Sequence, residues 1–372
     1  MRVAYISNHP APYRDAFLSR FVKIPDLDVS VFSMFPNDSG HDFWNLKTPD
    51  YDAPVLAQYG ESRWKLLWRL LRGFVFTRKY DIVFWPGIFC FYLKIPILLC
   101  ALFRKRYAFS ADSVKQPPIS RLAFGIKRYI VGHAAFVFVP GEASVGFFTT
   151  TFGVPRDKII KGAYALDGVS LENKIDFLRK DRTAIRKRLG LMDSDFVFLM
   201  VANMIKTRHY PVTGAAFIRF AVKYPNAKFV MVGNGTEREM MENMAEKYDC
   251  LRVIPGCPFD EMLKLYASAD VYVHGGTEPA STALVIGAIA KLPLISSPAV
   301  GCYYDIVRNN ESGIAVQDYL SEEEWESAFE RVMSKQEDWQ RMGAKGRELS
   351  QALDIDKAVV AFADAVKAAV VK

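Results

Sequence analysis

The 372-residue sequence predicts an α/β protein built from two doubly wound domains. Apolar, β-type runs alternate with helix-forming stretches from the N-terminus to about residue 165, and the same alternation restarts at Phe196. The composition, 51% apolar and 24% charged, is a globular mixture of a length that suits two domains. Two such domains predict a cleft with ligands at the carboxyl ends of strands.

In the first half, Arg2–Ser7 reads as a strand, broken by Asn8-His9-Pro10-Ala11-Pro12-Tyr13-Arg14, with a helix over Asp15–Lys23. That break holds no G-x-G-x-x-G, so the fingerprint of a dinucleotide-dependent dehydrogenase is missing. Val29–Met34 is the next strand, and 36–57 a polar, turn-rich loop. Arg63–Arg72 predicts an amphipathic helix with Lys65, Arg69 and Arg72 among Trp and Leu. Two readings fit it: a helix packed on a sheet, or an interfacial helix touching anionic lipid. Tyr80–Trp85 is a strand. The nearly apolar stretch 85–103 brushes the length of a membrane span, roughly 20 residues. Pro86-Gly87 and Pro96 split it, however, and a buried strand–helix pair explains it equally well. Tyr107–Ser110 and Ala134–Val139 complete the strands of this half. A charged helix over Phe177–Leu189 marks the expected domain boundary.

In the second half the strands are Phe196–Ala202, Ala227–Val232, Leu251–Ile254, Val271–Val273 and Leu294–Ser296, with helices between and a mostly helical tail from Glu322. The stretch Asp270–Val316 is the most informative. A strand ends at Gly275-Gly276, the acidic Glu278 follows beside Pro279, and Ser281-Thr282 open a helix over Ala283–Ala290. A carboxylate in a loop facing helix-start N–H groups suits a polar, anionic ligand.

Charge is unevenly placed. Between Glu61 and Ile130 fourteen Lys and Arg face three acidic residues, net +11, whereas the whole chain carries +7. This basic face implies an anionic partner, with peripheral contact to an anionic membrane favoured; no nucleic-acid recognition motif accompanies it. The five cysteines show neither a C-x-x-C pair nor metal-ligand spacing, which points to a reducing, cytosolic setting without a metal centre or disulfide framework. MRVAYISNHP is too short in its apolar run for a signal peptide and reads as a buried strand.

Several segments in order carry a family resemblance: NHPAPYR, FGVPRDKIIKGAYALD, the loop through Arg208, Val230–Gly235 as V-x-G-x-G, LKLYASADVYV, and TEPASTALVIGAIAKLPLISSPAVGCYYDIVRNNESGIAV. Together they resemble a family-4 retaining glycosyltransferase of GT-B fold. The resemblance implies an acceptor-binding Rossmann-like domain over 1–175, a nucleotide-sugar-binding one over 176–350, and a last helix over 351–372 that returns to the first domain. It implies a nucleotide diphosphate sugar as donor, a glycan or lipid-linked acceptor, no cofactor and no required metal, and a cytoplasmic location at the inner face of a membrane. By the same resemblance Arg208 falls where the family has its diphosphate-binding lysine, with Lys206 beside it. Thr282 and Ala283 offer backbone N–H groups to phosphate, Ala280 and Ser281 to the sugar, and Glu278 binds sugar hydroxyls. Asn203 falls on the family's loop arginine, and Cys257 and His274 line the donor side. Asp112, taken with Glu278 as catalytic, falls where the family often has a histidine near the donor and is a candidate for polar contact with donor sugar or acceptor; His9, Tyr13 and Arg14 belong to the acceptor side or cleft. The family's second glutamate, eight positions after the first, is Ile286 here, which can accept no hydrogen bond. Two expectations follow: a sugar-transferring enzyme, or a GT-B protein that binds a glycan or partner without transfer.

Overall fold

The structure is a computed structural model that describes residues 1–36, 49–88 and 90–371. It divides into two compact units, Met1–Leu166 with Leu353–Lys372, and Asp167–Ala352. Most of the loop expected over 36–57, including His41, lies outside the described residues.

The first unit holds six parallel strands: β1 (Arg2–Ser7), β2 (Asp28–Ser33), β3 (Ile82–Trp85), β4 (Tyr107–Ser110), β5 (Val137–Val139) and β6 (Ile159–Lys161). Their order is β2-β1-β3-β4-β5-β6. The chain reverses its direction of travel across the sheet between β1 and β3, so the loop after β1 opens at a topological switch point. One sheet face is covered by helices Arg63–Leu70, Phe91–Leu102 and Arg121–His133, which pack side by side and bury Leu66, Leu70, Leu93, Ile97 and Ile130. On the other, Pro12–Phe21 and the last helix, Ile355–Val371, bury Phe17, Phe21, Val359 and Phe362. Strands buried on both faces read as apolar runs, as the sequence of β1 and β3 does.

The second unit repeats the plan with β7 (Phe196–Val201), β8 (Ala227–Val232), β9 (Leu251–Ile254), β10 (Val271–His274), β11 (Leu294–Ser296) and β12 (Gly313–Ala315). The order β12-β11-β10-β7-β8-β9 puts its switch point between β7 and β10. Loops leaving these two strands come from positions about 70 residues apart and meet there.

Local differences from the sequence reading have local causes. The first helix begins at Pro12, because proline at a first-turn position lacks only a donor the helix would leave unpaired. The helix expected over Phe177–Leu189 is two, Gly168–Arg179 and Arg182–Arg188; Asp167 starts the first by accepting the Ser170 N–H at 3.0 Å. The first unit therefore ends at Leu166, before residue 175. The apolar stretch after Trp85 becomes a buried strand end and the helix Phe91–Leu102, which contains Pro96. Among the described residues no helix is long and apolar enough to cross a membrane.

Candidate donor site

At the β7–β10 switch point a buried trio of charged and ionisable side chains forms. Arg208 ends a 3-10 turn, Lys206–Arg208, and its Nη2 lies 2.6 Å from Glu278 Oε2. Its Nη1 donates to the Thr277 carbonyl at 3.0 Å and to Thr207 Oγ1 at 3.3 Å. The other carboxylate oxygen of Glu278 lies 2.5 Å from His274 Nε2, at the end of β10. That ring nitrogen has no well-aligned hydrogen-bond partner, so the contact is close but poorly directed. Both members of the Arg208–Glu278 pair are mostly shielded, at 16% and 13% exposure, which strengthens their attraction over that of a surface pair. Burial pushes the Glu278 carboxyl up. The close approach of His274 and the Arg208 charge outweigh it and hold the group below the usual carboxylate range, with help from the Ser281 hydroxyl.

The backbone fixes this arrangement. The Thr277 N–H donates to the Thr207 carbonyl at 2.7 Å, tying the two loops together, and the Gly301 N–H donates to the Glu278 carbonyl at 2.8 Å. Gly276 is needed for the approach of Arg208, because a Cβ there would stand 2.6 Å from Arg208 Cδ. At Gly301 a Cβ would fall 1.6 Å from the Pro279 carbonyl oxygen, so the loop carrying Glu278 can close only over glycine. His274 is fully buried. Its Nδ1 sits 3.3 Å from Tyr272 Oη, on the same side of the strand two residues earlier.

Next to Glu278, the helix Thr282–Ile289 starts at Ser281, whose hydroxyl accepts the Leu284 N–H at 3.2 Å. The N–H groups of Thr282 and Ala283, in the first turn, have no intrahelical acceptor and are partly exposed. Ala280 is partly exposed beside them. Ser281 differs from expectation, because its N–H already donates to Cys302 Sγ at 3.3 Å. In this conformation it is not available to a sugar. Asn203 and Lys206 are exposed on the loop after β7. Cys257 follows β9 as a free, half-buried thiol whose pKa is raised by burial. Ile286 is only 2% exposed and offers no polar atom. His209, also a loop candidate, adopts φ 53° and packs its ring 5.0 Å from that of Tyr319. Burial, followed by the Arg208 charge, lowers its pKa.

The remaining candidates belong to the first unit. Asp112, after β4, is exposed and accepts a hydrogen bond from the Tyr164 hydroxyl at 3.3 Å. Tyr13 packs on Tyr164 with ring centroids 5.2 Å apart, and the Arg14 guanidinium lies over the Tyr13 ring at 5.6 Å. His9 lies in the loop before the helix that carries Tyr13 and Arg14, and Arg14 Nη1 donates to its carbonyl. Sequence reasoning missed Thr207, Thr277, Tyr272, Cys302 and Tyr164. Only Tyr272 carried a local signal, its i, i+2 spacing to His274 on one strand. The five cysteines are free thiols, and the described residues hold no cluster of three or more His, Cys, Asp or Glu suited to a metal.

Two six-stranded parallel sheets, each with a topological switch point, define a protein of the GT-B fold. HepE of Anabaena, solved in complex with UDP, superposes with a TM-score of 0.75 at 15% identity, covering 99% of this chain and 100% of that one. A glycosyltransferase from Rickettsia africae gives 0.74 at 11% identity over 99% and 98% of the two chains. Residues 181–349 match the family described as glycosyl transferases group 1, so the second unit carries a domain of that family. The alpha-monoglucosyldiacylglycerol synthase of Acholeplasma laidlawii is 24% identical over 126 residues, which span 33% of this chain and 32% of that protein.

Proposed function

We propose that the chain is a retaining glycosyltransferase that moves a sugar from a nucleotide diphosphate donor to a glycan or lipid-linked acceptor. The observation that carries this reading is the buried Arg208–Glu278–His274 trio at the switch point of a glycosyl transferases group 1 domain. As the anomeric bond breaks, negative charge grows on the leaving diphosphate. Arg208, fixed by Thr277 and Thr207, meets that charge from one side, and the free N–H groups of Thr282 and Ala283 meet it from a helix N-terminus. Glu278, held ionised, accepts hydrogen bonds from hydroxyls of the transferred sugar. Exposed Lys206 and Asn203 lie on the same loop and are assigned to the diphosphate, and Cys257 to the nucleotide side.

In this reading the leaving phosphate itself takes the acceptor proton on the face it departs from, so no base dyad and no metal is required. Solved neighbours of this fold are complexes with UDP and UDP-glucose, which favours a uridine nucleotide as donor. Asp112, with His9, Tyr13 and Arg14, is assigned to the acceptor. The helix layer of the first unit, with exposed Trp64, Trp68, Phe91 and Leu122 among Lys65, Lys94, Arg121 and Arg128, supports docking on the cytoplasmic face of an anionic membrane that carries the acceptor. The A. laidlawii relative is a glycolipid synthase by name, which agrees with a lipid-linked acceptor.

Ile286 favours one rival, a GT-B protein that binds a glycan without transfer, because it removes a carboxylate from the donor side. Following the anomeric proton of the transfer product by NMR tests the proposal. The expected product keeps the donor's anomeric configuration, and forms equally well with a chelator present. Inversion would exclude the same-face mechanism, and donor binding without any product would favour the rival.

A further inference from the structure

The loop after β1 leads into a helix, Pro12–Phe21, whose first turn holds a cation among phenol rings. Arg14 lies half-buried among Tyr5, Tyr13 and Tyr164. Its Nη1 donates to the His9 carbonyl, and its Nη2 reaches only a phenol oxygen, Tyr13 Oη, at 3.4 Å. Among the described residues no carboxylate forms an ion pair with it. The adjacent acid, Asp15, accepts the Tyr51 hydroxyl at 2.8 Å and acts on Arg14 only through its charge, without an ion-pair contact. A guanidinium cannot discharge itself by losing its proton, so its shielded charge and spare N–H donors call for an anion.

Three further observations give the site its direction. It lies at the switch point of the first sheet, where the carboxyl ends of parallel strands receive ligands. Asn8 Oδ1, on the loop after β1, is buried without a hydrogen-bond partner, and as an acceptor it needs an O–H or N–H from a ligand. Asp112, exposed and linked to Tyr13 through Tyr164, adds a second acceptor suited to a hydroxyl. Donors for an anion thus sit beside acceptors for hydroxyl groups.

We propose that this loop and the helix turn after it form, with Asp112, a subsite for an acidic glycan acceptor, in which Arg14 holds a carboxylate or phosphate while Asn8 and Asp112 receive hydroxyls of the same sugar. The inference rests on the reading of the first unit as the acceptor side, and it specifies the acceptor's chemical class. It can be read without any donor. Calorimetric titration of the full chain with glucuronic acid, glucose 6-phosphate, glucose and inorganic phosphate distinguishes the sources of the anion. One of the two acidic sugars is expected to bind about tenfold or more tightly than glucose, as one charge-assisted hydrogen-bonded contact allows. Arg14→Gln should abolish that preference and Arg14→Lys should retain part of it. Equal binding of acidic and neutral sugars by the wild-type chain overturns the proposal, even if Arg14→Gln fails to fold. So does inorganic phosphate binding as tightly as glucose 6-phosphate, which would make this an adventitious anion pocket. UDP titrated into the same samples reports on the donor site separately, so failure of one reading is visible against survival of the other.

Discussion

Glu278 has an arginine and a histidine as neighbours at once, and this decides how it behaves. A lone shielded carboxylate would be driven toward its neutral form, but Arg208 and His274 reverse that tendency. A group with a depressed folded-state pKa stabilises the fold at pH values above its unfolded value, roughly 4.3, and that contribution fades as pH falls through the folded value. The stability difference between the wild-type chain and Glu278→Gln should therefore be full near neutrality, about 1–3 kcal/mol with Arg208 left unpaired, and shrink below about pH 4. Urea titrations of both chains at several pH values measure it. A difference that grows on acidification would mean that the carboxyl is not held ionised. Little of this trio was readable in advance. Glu278 stood out as a carboxylate between a strand end and a helix start, and Arg208 as a loop cation, but their contact joins loops distant in sequence. Nothing in local pattern says that the two side chains meet. Ile286 was readable as a departure, and its burial gives that departure a physical form: the position where the family presents a carboxylate is closed and apolar.

Helices of the first unit show where periodicity suffices and where it fails. In Arg63–Leu70, Leu66, Leu67 and Leu70 face the core, while Trp64 and Trp68 are 69% and 57% exposed. The two readings of this helix are thus compatible: one face packs on the sheet and the other presents aromatic and basic side chains. Trp64 packs at a tilt against Phe91, with ring centroids 5.4 Å apart, which extends the exposed aromatic surface onto the next helix. Sedimentation with vesicles checks the membrane assignment. The chain is expected to bind vesicles rich in anionic lipid, to bind zwitterionic ones weakly, and to lose most binding on combined Trp64→Ser and Trp68→Ser substitution. High salt should release it, since the charge contribution is screened. Binding indifferent to lipid charge would remove the basic face from the interpretation. Helix Arg121–His133 escaped sequence analysis because its apolar residues, including exposed Leu122 and Ile126, do not confine themselves to one stripe. Strands β5, β6 and β12, each three residues long, are too short for an alternating pattern to declare their edges.

For the chain as a whole, the doubled sheet plan was legible because each unit buries its strands on both faces and so writes apolar runs between helical ones. The exact limits of the units were not, since Asp167 starts a helix that belongs with the second. The last helix is tied into the first unit mainly by Phe362. Its ring is fully buried and stands 4.9 Å from each of Phe21, Phe84 and Phe138, centroid to centroid. Phe362→Ala should cost about 3–5 kcal/mol by cavity formation and destabilise the first unit, leaving nucleotide affinity in the second nearly unchanged. Thermal melts combined with UDP titration separate the two effects.

In the proposed reaction the Arg208–Glu278–His274 trio serves a nucleotide-sugar donor. Release of nucleoside diphosphate from a panel of sugar nucleotides, followed on the purified chain with and without glycan acceptors, probes it most directly. At least one donor is expected to be turned over, with turnover lost in Glu278→Gln and donor affinity weakened in Arg208→Ala. If no member of the panel is bound or turned over, the trio is a structural ion-pair cluster, and the assignment of a donor site is wrong.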